Sequence, residues 1–404
     1  MTTQRVTDAR KLLVTRSIRG LADGVVSIAL ATYLTRIGLR PFQVGAIVTA
    51  TLLGSAAVTL AVGLLGYRFS RRRILLAAAA LMLATGFGFA GLTTFWPLMI
   101  VALVGTLNPS SGDVSLFLPT EQAALAHTAS GSARTMVFAW YNLAGSLAGA
   151  LGALLSGLPA LLAAHRGVPL VAAERGVFLF YAACAVASAI IYRTLSPALE
   201  VHPGAIPRKP LAQSRQVVLR LAALFSLDSF GGGFVVQSLL VLWLYKRFRL
   251  DAGTTAVVFL VAGTLSAFSQ VLSPRLAARV GLIRTMVYTH LPANVFLILA
   301  GLMPTAPLSI TFLLLRMSVS QMDVPARQAF VMAVVPPEER TAASTVTNVP
   351  RSLAAGLAPL IAGALLERTA FGWPLIIGGA LKAAYDVVLL IQFRSVAPNE
   401  AGIS

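Results

Sequence analysis

The sequence is poor in charge, and this scarcity limits the kind of protein that it can encode. Only 11% of its 404 residues are Asp, Glu, Lys or Arg, whereas 57% are hydrophobic; a soluble domain has roughly a quarter charged residues. The mean hydropathy of +0.81 leaves too few ionisable side chains to cover a water-exposed surface. The composition excludes a soluble enzyme and a disordered regulator, and it predicts a protein that crosses the membrane several times.

Cysteine and the common catalytic motifs are also scarce. The single cysteine, Cys184, cannot form an intramolecular disulfide or a thiolate metal site. The sequence has no Gly-Lys-Ser/Thr phosphate loop, no His-Glu-x-x-His motif and no paired-cysteine signature. We therefore expect no enzymatic activity, no cofactor and no metal. The polar N-terminus has no cleavable leader pattern, so we expect no signal peptide.

Acidic residues are few, with 14 against 32 Lys and Arg, and the formal net charge is +18. The basic residues form short clusters between apolar runs, as membrane proteins place them in cytoplasmic loops. We therefore expect the lipid bilayer, and not nucleic acid, as the partner. An intracellular N-terminus puts twenty Lys and Arg on the cytoplasmic side and eight outside. This predicts cytoplasmic termini and, as location, a bacterial cytoplasmic (inner) membrane.

Twelve apolar segments are long enough to span a bilayer, which takes about 20 residues of helix. They fall near 12–35, 42–66, 74–93, 97–125, 134–162, 174–194, 217–245, 253–278, 283–303, 307–334, 341–367 and 372–394. A polar, proline-bearing stretch separates six from six. We predict an N-terminal six-helix bundle over 1–194, a cytoplasmic linker over 195–216 and a C-terminal six-helix bundle over 217–404.

The two halves are related in sequence. A shift of 206 positions lays residues 119–157 on residues 325–363 without a gap, with about twelve identities in thirty-nine positions. Pro119, Gln122 and Asn142 meet identical residues, and such matches do not follow from shared hydrophobicity. An internal repeat predicts two pseudo-symmetric bundles with the working site near the bilayer midplane.

The loop after the second span carries a recognisable motif. Its sequence resembles the pattern Gly-x-Leu-Ala-Asp-Arg-x-Gly-Arg-Arg/Lys-x-x-Leu of the major facilitator superfamily, with matches at Gly63, Leu65, Arg68, Arg71, Arg72 and Leu75. Tyr67 replaces the family Asp, and Ala278 replaces it in the related loop of the second half. The resemblance implies an all-α membrane protein with twelve transmembrane helices. It also implies alternating access, a cytoplasmic gate at Gly63, Arg68, Arg71 and Arg72, and function as a monomer.

The fifth span has a partial match to the antiporter signature of that superfamily. Gly145, Gly149, Gly152 and Gly157 follow each other at small-residue spacing, but the family proline is absent. Close helix packing and an antiporter-type hinge both explain these glycines. The resemblance therefore favours efflux only slightly.

Ionisable side chains inside the spans need a partner or water, because each costs several kcal/mol in hydrocarbon. We predict proton coupling among Asp23, Asp113, Asp228 and Asp323, and we place Asp23 and Asp228 at similar depth. An i,i+4 ion pair with Arg19 is the structural alternative for Asp23. For Lys382 and Asp386 on the twelfth span, a self-neutralised pair is the favoured interpretation.

Glu121 and Arg327 occupy matching repeat positions with opposite charge. We predict that they pair across the two bundles as part of a gate, with a permanent structural bridge as the alternative. Prolines and polar residues predict broken helices in the fourth and tenth spans, and Gly231-Gly232-Gly233 predict local unwinding in the seventh. The remaining polar residues are candidates for the substrate path: Arg19, Asn108, Asn142, Gln237, Arg316, Gln321 and Asn348.

Three functions remain open. The first is a secondary active transporter, coupled to protons, that exports a small organic solute. The second keeps the fold but takes up an anionic solute, by proton-coupled or facilitated transport, with Arg19, Arg316 and Arg327 as ligands. The third is a receptor or scaffold of the same fold without transport, against which the retained repeat argues.

Overall fold

A computed structural model describes residues 3–65, 69–109, 117–126, 132–199, 211, 213–336 and 339–393. These residues form sixteen α-helices, one 3₁₀ helix (Pro197–Leu199) and no strand. The α-helices are α1 Thr3–Arg36, α2 Pro41–Leu65, α3 Arg71–Gly91, α4 Phe95–Val104, α5 Phe117–Ala126, α6 Ser132–Leu155, α7 Leu158–Arg166, α8 Leu170–Arg193, α9 Arg215–Gly233, α10 Gln237–Phe248, α11 Ala252–Val280, α12 Leu282–Leu302, α13 Ala306–Val319, α14 Asp323–Ala333, α15 Arg340–Arg368 and α16 Trp373–Phe393.

The sixteen helices correspond to the twelve predicted spans. Eight spans are single helices, and the fourth, fifth, seventh and tenth each consist of two, which are α4–α5, α6–α7, α9–α10 and α13–α14. In the described part of the chain, ten helical segments are long and apolar enough to cross a membrane. The fourth and tenth spans are not among them, because the helices in each have only 10 to 14 residues.

The breaks predicted for the fourth and tenth spans are confirmed; in the seventh span Gly231–Gly233 remain helical, and the break follows at residues 234–236. Side chains satisfy the backbone groups that the breaks in the fourth and tenth spans expose. After α4 ends, the Thr106 amide donates to the Thr85 hydroxyl, and the Tyr181 hydroxyl donates to the Thr106 carbonyl at 2.8 Å. In the tenth span, the Ser273 hydroxyl donates to the Met322 carbonyl between α13 and α14. Irregular backbone is stable at membrane depth only with such partners.

The contacts divide the chain into two compact units. Unit 1 comprises residues 1–205 and 236–263, and unit 2 comprises residues 206–235 and 264–404. In unit 1, α1 packs closely on α6: a Cβ added at Gly24 would strike the Gly149 carbonyl, and one added at Gly152 would strike the Leu21 carbonyl. The predicted close packing around Gly149 and Gly152 is therefore present.

In unit 2, α9 packs on α15 in the same way. A Cβ added at Gly233 would strike the Ala355 carbonyl. Because glycine has no Cβ, the two helices can approach each other closely where α9 ends. Three consecutive glycines disfavour continuation of the helix. Earlier in α9, Leu221 and Phe225 lie in an apolar core with Phe330 and Leu389.

These contacts fix how the first helices of the two units correspond. Gly20 meets Gly145 in unit 1, and Ser229 meets Arg351 in unit 2. The repeat shift of 206 positions pairs Gly145 with Arg351. Their partners, Gly20 and Ser229, are 209 positions apart, so α1 corresponds to α9 at a shift of 209. Asp228 therefore matches Arg19 in the repeat, and Asp23 lies about one helical turn from the position that matches Asp228.

Candidate functional site

A prominent buried ionic cluster lies in each unit, and five of the predicted site residues belong to these two clusters: Arg19, Glu121, Asp228, Asp323 and Arg327. The Glu121 cluster in unit 1 consists of Glu121, Arg19, Thr15, Tyr141 and Tyr192. The Asp228 cluster in unit 2 consists of Asp228, Asp323, Arg327, Lys382, His290, Asn294 and Asp386.

In the Glu121 cluster, one carboxylate receives four donors. Glu121 on α5 is fully buried and forms a salt bridge with Arg19 on α1. It also accepts hydrogen bonds from Tyr192 at 2.6 Å, from Thr15 at 2.8 Å and from Tyr141. A buried ion pair is stable when further hydrogen bonds satisfy its charges. The charge and the hydrogen-bonding capacity of this carboxylate are thus satisfied by partners within unit 1.

Asp23 lies one turn beyond Arg19 on α1 and is also buried. Its carboxylate accepts a hydrogen bond from Asn108 in the break of the fourth span. Among the described residues, no Lys or Arg nitrogen forms a salt bridge with it, although Arg16 and Arg19 interact with it electrostatically at longer range. The i,i+4 pair of Arg19 with Asp23 is therefore not formed, because Arg19 forms its salt bridge with Glu121.

Arg16 stands close to Asp23 and was not among the predicted site residues. It is 9% exposed, and its guanidinium lies 5.4 Å from the centre of the Tyr141 ring and packs against Gly145. Its Nε atom is buried without a hydrogen-bond partner in the described structure. Unit 1 thus holds a buried cation that no described carboxylate neutralises at contact distance.

In the Asp228 cluster, one carboxylate contacts two permanent cations. Asp228 on α9 lies 2.6 Å from the Lys382 ammonium on α16 and 3.2 Å from the Arg327 guanidinium on α14. Arg327 also lies 3.2 Å from Asp323, one turn earlier on α14. Glu121 and Arg327 therefore each have a partner within their own unit, and the pair between them stays a prediction.

The second half of this cluster surrounds a histidine. His290 on α12 lies with Nδ1 2.9 Å from Asp386 on α16, and Asn294 donates to the same carboxylate at 2.8 Å. The predicted pair of Lys382 with Asp386 is wrong, because Lys382 extends to Asp228. His290 was not among the predicted site residues; its i,i+4 spacing from Asn294 within an apolar span was the available signal.

Arg316 and Arg351 are two further arginines of unit 2 that lie within predicted spans. Arg316 on α13 is half-buried and donates to the Met317 sulfur at 3.1 Å; in the described structure it forms no salt bridge. It interacts electrostatically with Asp228 and Asp323. Arg351, at the repeat position of Gly145, donates to the Ser229 hydroxyl at 2.7 Å.

The remaining predicted residues are scattered over both units. Gln237 begins α10, Gln321 lies in the break of the tenth span, and both Asn142 and Asn348 are exposed. Of the gate residues, Gly63 lies in α2, Arg72 is exposed, and Arg71 donates to the Leu199 carbonyl at 2.8 Å. Asp113 and Arg68 lie outside the described residues.

Comparison with known protein families identifies the family of this chain. The family model of the Major Facilitator Superfamily matches residues 12–349. The chain belongs to this superfamily. The resemblance inferred from the loop motif and the repeat is thereby confirmed, together with an all-α, multi-pass integral membrane fold.

Relatives of this superfamily member come from yeast and bacteria. An uncharacterized membrane protein of Saccharomyces cerevisiae is 26% identical over 423 residues, which cover 96% of this chain and 94% of that protein. A D-xylose transporter of Levilactobacillus brevis is 33% identical over 107 residues, or 26% of this chain and 23% of that protein.

Solved structures of transporters share the fold at low sequence identity. A variant of the nucleoside transporter NupG superposes with a TM-score of 0.73 at 13% identity, over 96% of this chain and 99% of that one. A bacterial homologue of the iron transporter ferroportin gives 0.72 at 15% identity, over 96% and 99%.

Proposed function

We propose that the chain is a secondary active transporter that exports a small organic solute in exchange for protons. Its halves, residues 1–194 and 217–404, would alternate access to the two sides of the membrane, with both termini in the cytoplasm. Membership in the superfamily supports transport. Superfamily members with this fold bind solute and ions near the bilayer midplane, where ionisable residues are otherwise rare.

The observation that carries proton coupling is the difference between Asp23 and the other described candidates. Lys382 and Arg327 contact Asp228, and Arg327 contacts Asp323, so both carboxylates have permanent cations as counter-ions. Asp23 has a neutral amide as its contact and no salt bridge in the described structure. A buried carboxylate without a permanent counter-ion can carry a proton, and it can release that proton when water or a cation reaches it. We propose Asp23 as the coupling residue.

The broken spans supply the proposed path of the solute. Asn108 and Gln321 lie where backbone leaves the helix in the fourth and tenth spans, and Gln237 begins α10 after the break of the seventh. Unwound segments next to short helices are where such transporters coordinate solute and ions. Arg71 and Arg72 are proposed for the cytoplasmic gate.

The test begins with a thermal-shift screen of the purified protein against metabolites and drugs, because a bound ligand raises the apparent stability. With the solute found, Asp23→Asn is compared with Asp251→Asn, a matched change in an exposed loop. We expect Asp23→Asn to lose solute accumulation driven by a pH gradient in proteoliposomes and to keep solute counterflow. Asp251→Asn should behave as wild type. Gradient-driven accumulation by the Asp23→Asn protein would refute the assignment.

Transport of an anionic solute is a second candidate, which Arg16 and Arg316 favour. Arg19 and Arg327, named as anion ligands from the sequence, are committed to Glu121 and to Asp228 with Asp323. Arg16 and Arg316 form no salt bridge within the described part of the chain, so their charges are available to a carboxylate or phosphate.

A charge-selective binding assay separates the two candidates. Arg16→Gln and Arg316→Gln should weaken binding of an anionic solute at least tenfold and leave a cationic or neutral one unaffected. Arg193→Gln, in the exposed end of α8, is the control. Equal affinity of an anion for Arg16→Gln, Arg316→Gln and wild type would exclude this candidate. A receptor without transport would bind solute but show no flux in proteoliposomes.

A further inference from the structure

His290 lies between two carboxylates that come from different helices. Its Nδ1 atom is 2.9 and 3.1 Å from the two oxygens of Asp386 on α16, and its Nε2 atom is 3.7 Å from Oδ1 of Asp228 on α9. All three side chains are buried. Both nitrogens of one imidazole therefore face acceptors, and a neutral imidazole has only one proton to offer them.

Asp386 contacts no permanent cation in the described structure. It is fully buried, and its direct partners are His290 and the amide of Asn294. Lys382, four residues earlier on the same helix, extends to Asp228 instead. An ionised carboxylate at this depth is costly unless a positive charge neutralises it. Among the groups at contact distance, a proton on the imidazole of His290 or on Asp386 itself can neutralise this carboxylate.

The geometry of the imidazole shows where that proton fits. With Nδ1–H donating to Asp386, the Nε2 lone pair faces the Asp228 carboxylate, so that two acceptors oppose each other. A proton on Nε2 turns this repulsion into a charge-assisted contact. We propose that His290 and Asp386 form a second proton-binding site, in unit 2, in which the protonated imidazole bridges Asp386 and Asp228.

Charged groups surround this site on every helix that packs against it. Asp228 and Asp323 favour a positive imidazole, whereas Lys382, Arg327 and the more distant Arg316 oppose it. The Tyr385 ring lies edge-on to the imidazole, 6.0 Å between centres, and covers it. Charges of both signs therefore face the imidazole.

Binding of this proton bears on the contacts of α9. A charged imidazole gives Asp228 a third cationic partner, which competes with Lys382 and Arg327. Lys382 packs against Gly231, two residues before the end of α9. Occupancy of the site is therefore linked to the ion pairs that join α9 to α14 and α16.

The experiment is a nitrogen NMR titration of the full-length protein in detergent with labelled histidine. The chain has four histidines, and His290→Gln identifies the signal of His290. We expect its ring nitrogens to change protonation reversibly between about pH 4 and 10. The midpoint should fall by at least one pH unit, roughly a tenfold loss of proton affinity, in Asp386→Asn and in Asp228→Asn. Asp251→Asn should leave it unchanged, and exposed His165 is the internal reference.

Two results would overturn the proposal. One is a His290 signal that does not change over this pH range in the wild-type protein, a measurement that needs no variant to fold. The other is a His290 midpoint that neither carboxylate substitution moves. The titration uses no solute, so its outcome is independent of transport and of the role of Asp23.

Discussion

The buried salt bridges of the two units occupy matching positions with their charges exchanged. Unit 1 joins α1 to α5 through Arg19 and Glu121, and unit 2 joins α9 to α14 through Asp228 and Arg327. The repeat relates Glu121 to Arg327, and the helix contacts relate Arg19 to Asp228. The comparison teaches that this position requires a neutral pair between two helices, whichever helix carries the positive charge.

The surroundings of the two pairs differ more than the pairs themselves. Hydroxyl groups complete the Glu121 cluster, whereas further ions and a histidine complete the Asp228 cluster. Neutral donors hold one charge state, but several coupled ions can exchange protons and partners. In our proposals, unit 1 keeps its pair fixed and Asp23 beside it binds the proton, whereas in unit 2 the proton-binding His290 lies inside the cluster.

Loss of Glu121 should have the largest effect. Glu121→Gln leaves Arg19 buried without its counter-ion, which costs about 3–5 kcal/mol. The double variant Arg19→Met with Glu121→Met removes both charges and should recover most of this loss. Thermal unfolding in detergent measures both. A single variant as stable as wild type would contradict a fixed pair in unit 1.

Asp228→Asn should destabilise less than Glu121→Gln, by about 1–3 kcal/mol. Arg327 keeps Asp323 at 3.2 Å, so only Lys382 loses its carboxylate partner. The same unfolding assay compares the two substitutions directly. If Asp228→Asn costs more than Glu121→Gln, the contrast between the clusters is wrong.

The close helix pairs should respond alike in both units. Gly24→Ala and Gly233→Ala each place a methyl group against a backbone carbonyl, and such overpacking costs about 1–3 kcal/mol. Gly176→Ala in α8 is the control, because nothing lies within 4 Å of its added Cβ. It should be neutral or stabilising by up to about 1 kcal/mol. A cost at Gly24 but none at Gly233 would show that the two pairs are not equivalent.

The smallest effect is expected at Asp251, which precedes α11 in an exposed loop. Its carboxylate accepts from the Thr254 amide at 2.9 Å and from the Thr254 hydroxyl at 2.6 Å, and these bonds lower the pKa of Asp251. Asp251→Ala should cost about 1 kcal/mol, and Asp251→Asn should be tolerated. Because the folded pKa is lowered, the stabilisation is present above the usual Asp range near pH 4 and is lost as the pH falls through the folded value. An Asp251→Ala deficit that persists in strong acid would contradict this origin.

The sequence predicted the spans, the buried charges and an interruption in the fourth, seventh and tenth spans, because each depends on local composition; the break between α6 and α7 in the fifth span was not predicted. Long apolar runs, the Gly231–Gly233 run and the prolines of the fourth and tenth spans are readable one segment at a time. The repeat also located Glu121 and Arg327 at equivalent positions.

The partners of the buried ions could not be predicted in the same way. The sequence suggested Arg19 with Asp23 and Lys382 with Asp386, since both pairs have i,i+4 spacing. Carboxylates on neighbouring helices compete for these long side chains, and the outcome depends on helix rotation and on a three-residue difference in register. Tyr141 and Tyr192 were missed because tyrosines in a span resemble ordinary interfacial aromatics.

The most direct test of the account is proton exchange on solute binding by purified protein in weak buffer, without a membrane gradient. In a proton-coupled exporter of this design, solute binding releases about one proton from wild type and none from Asp23→Asn, while Asp228→Asn still releases it. Release that survives in Asp23→Asn and disappears in Asp228→Asn would contradict the account.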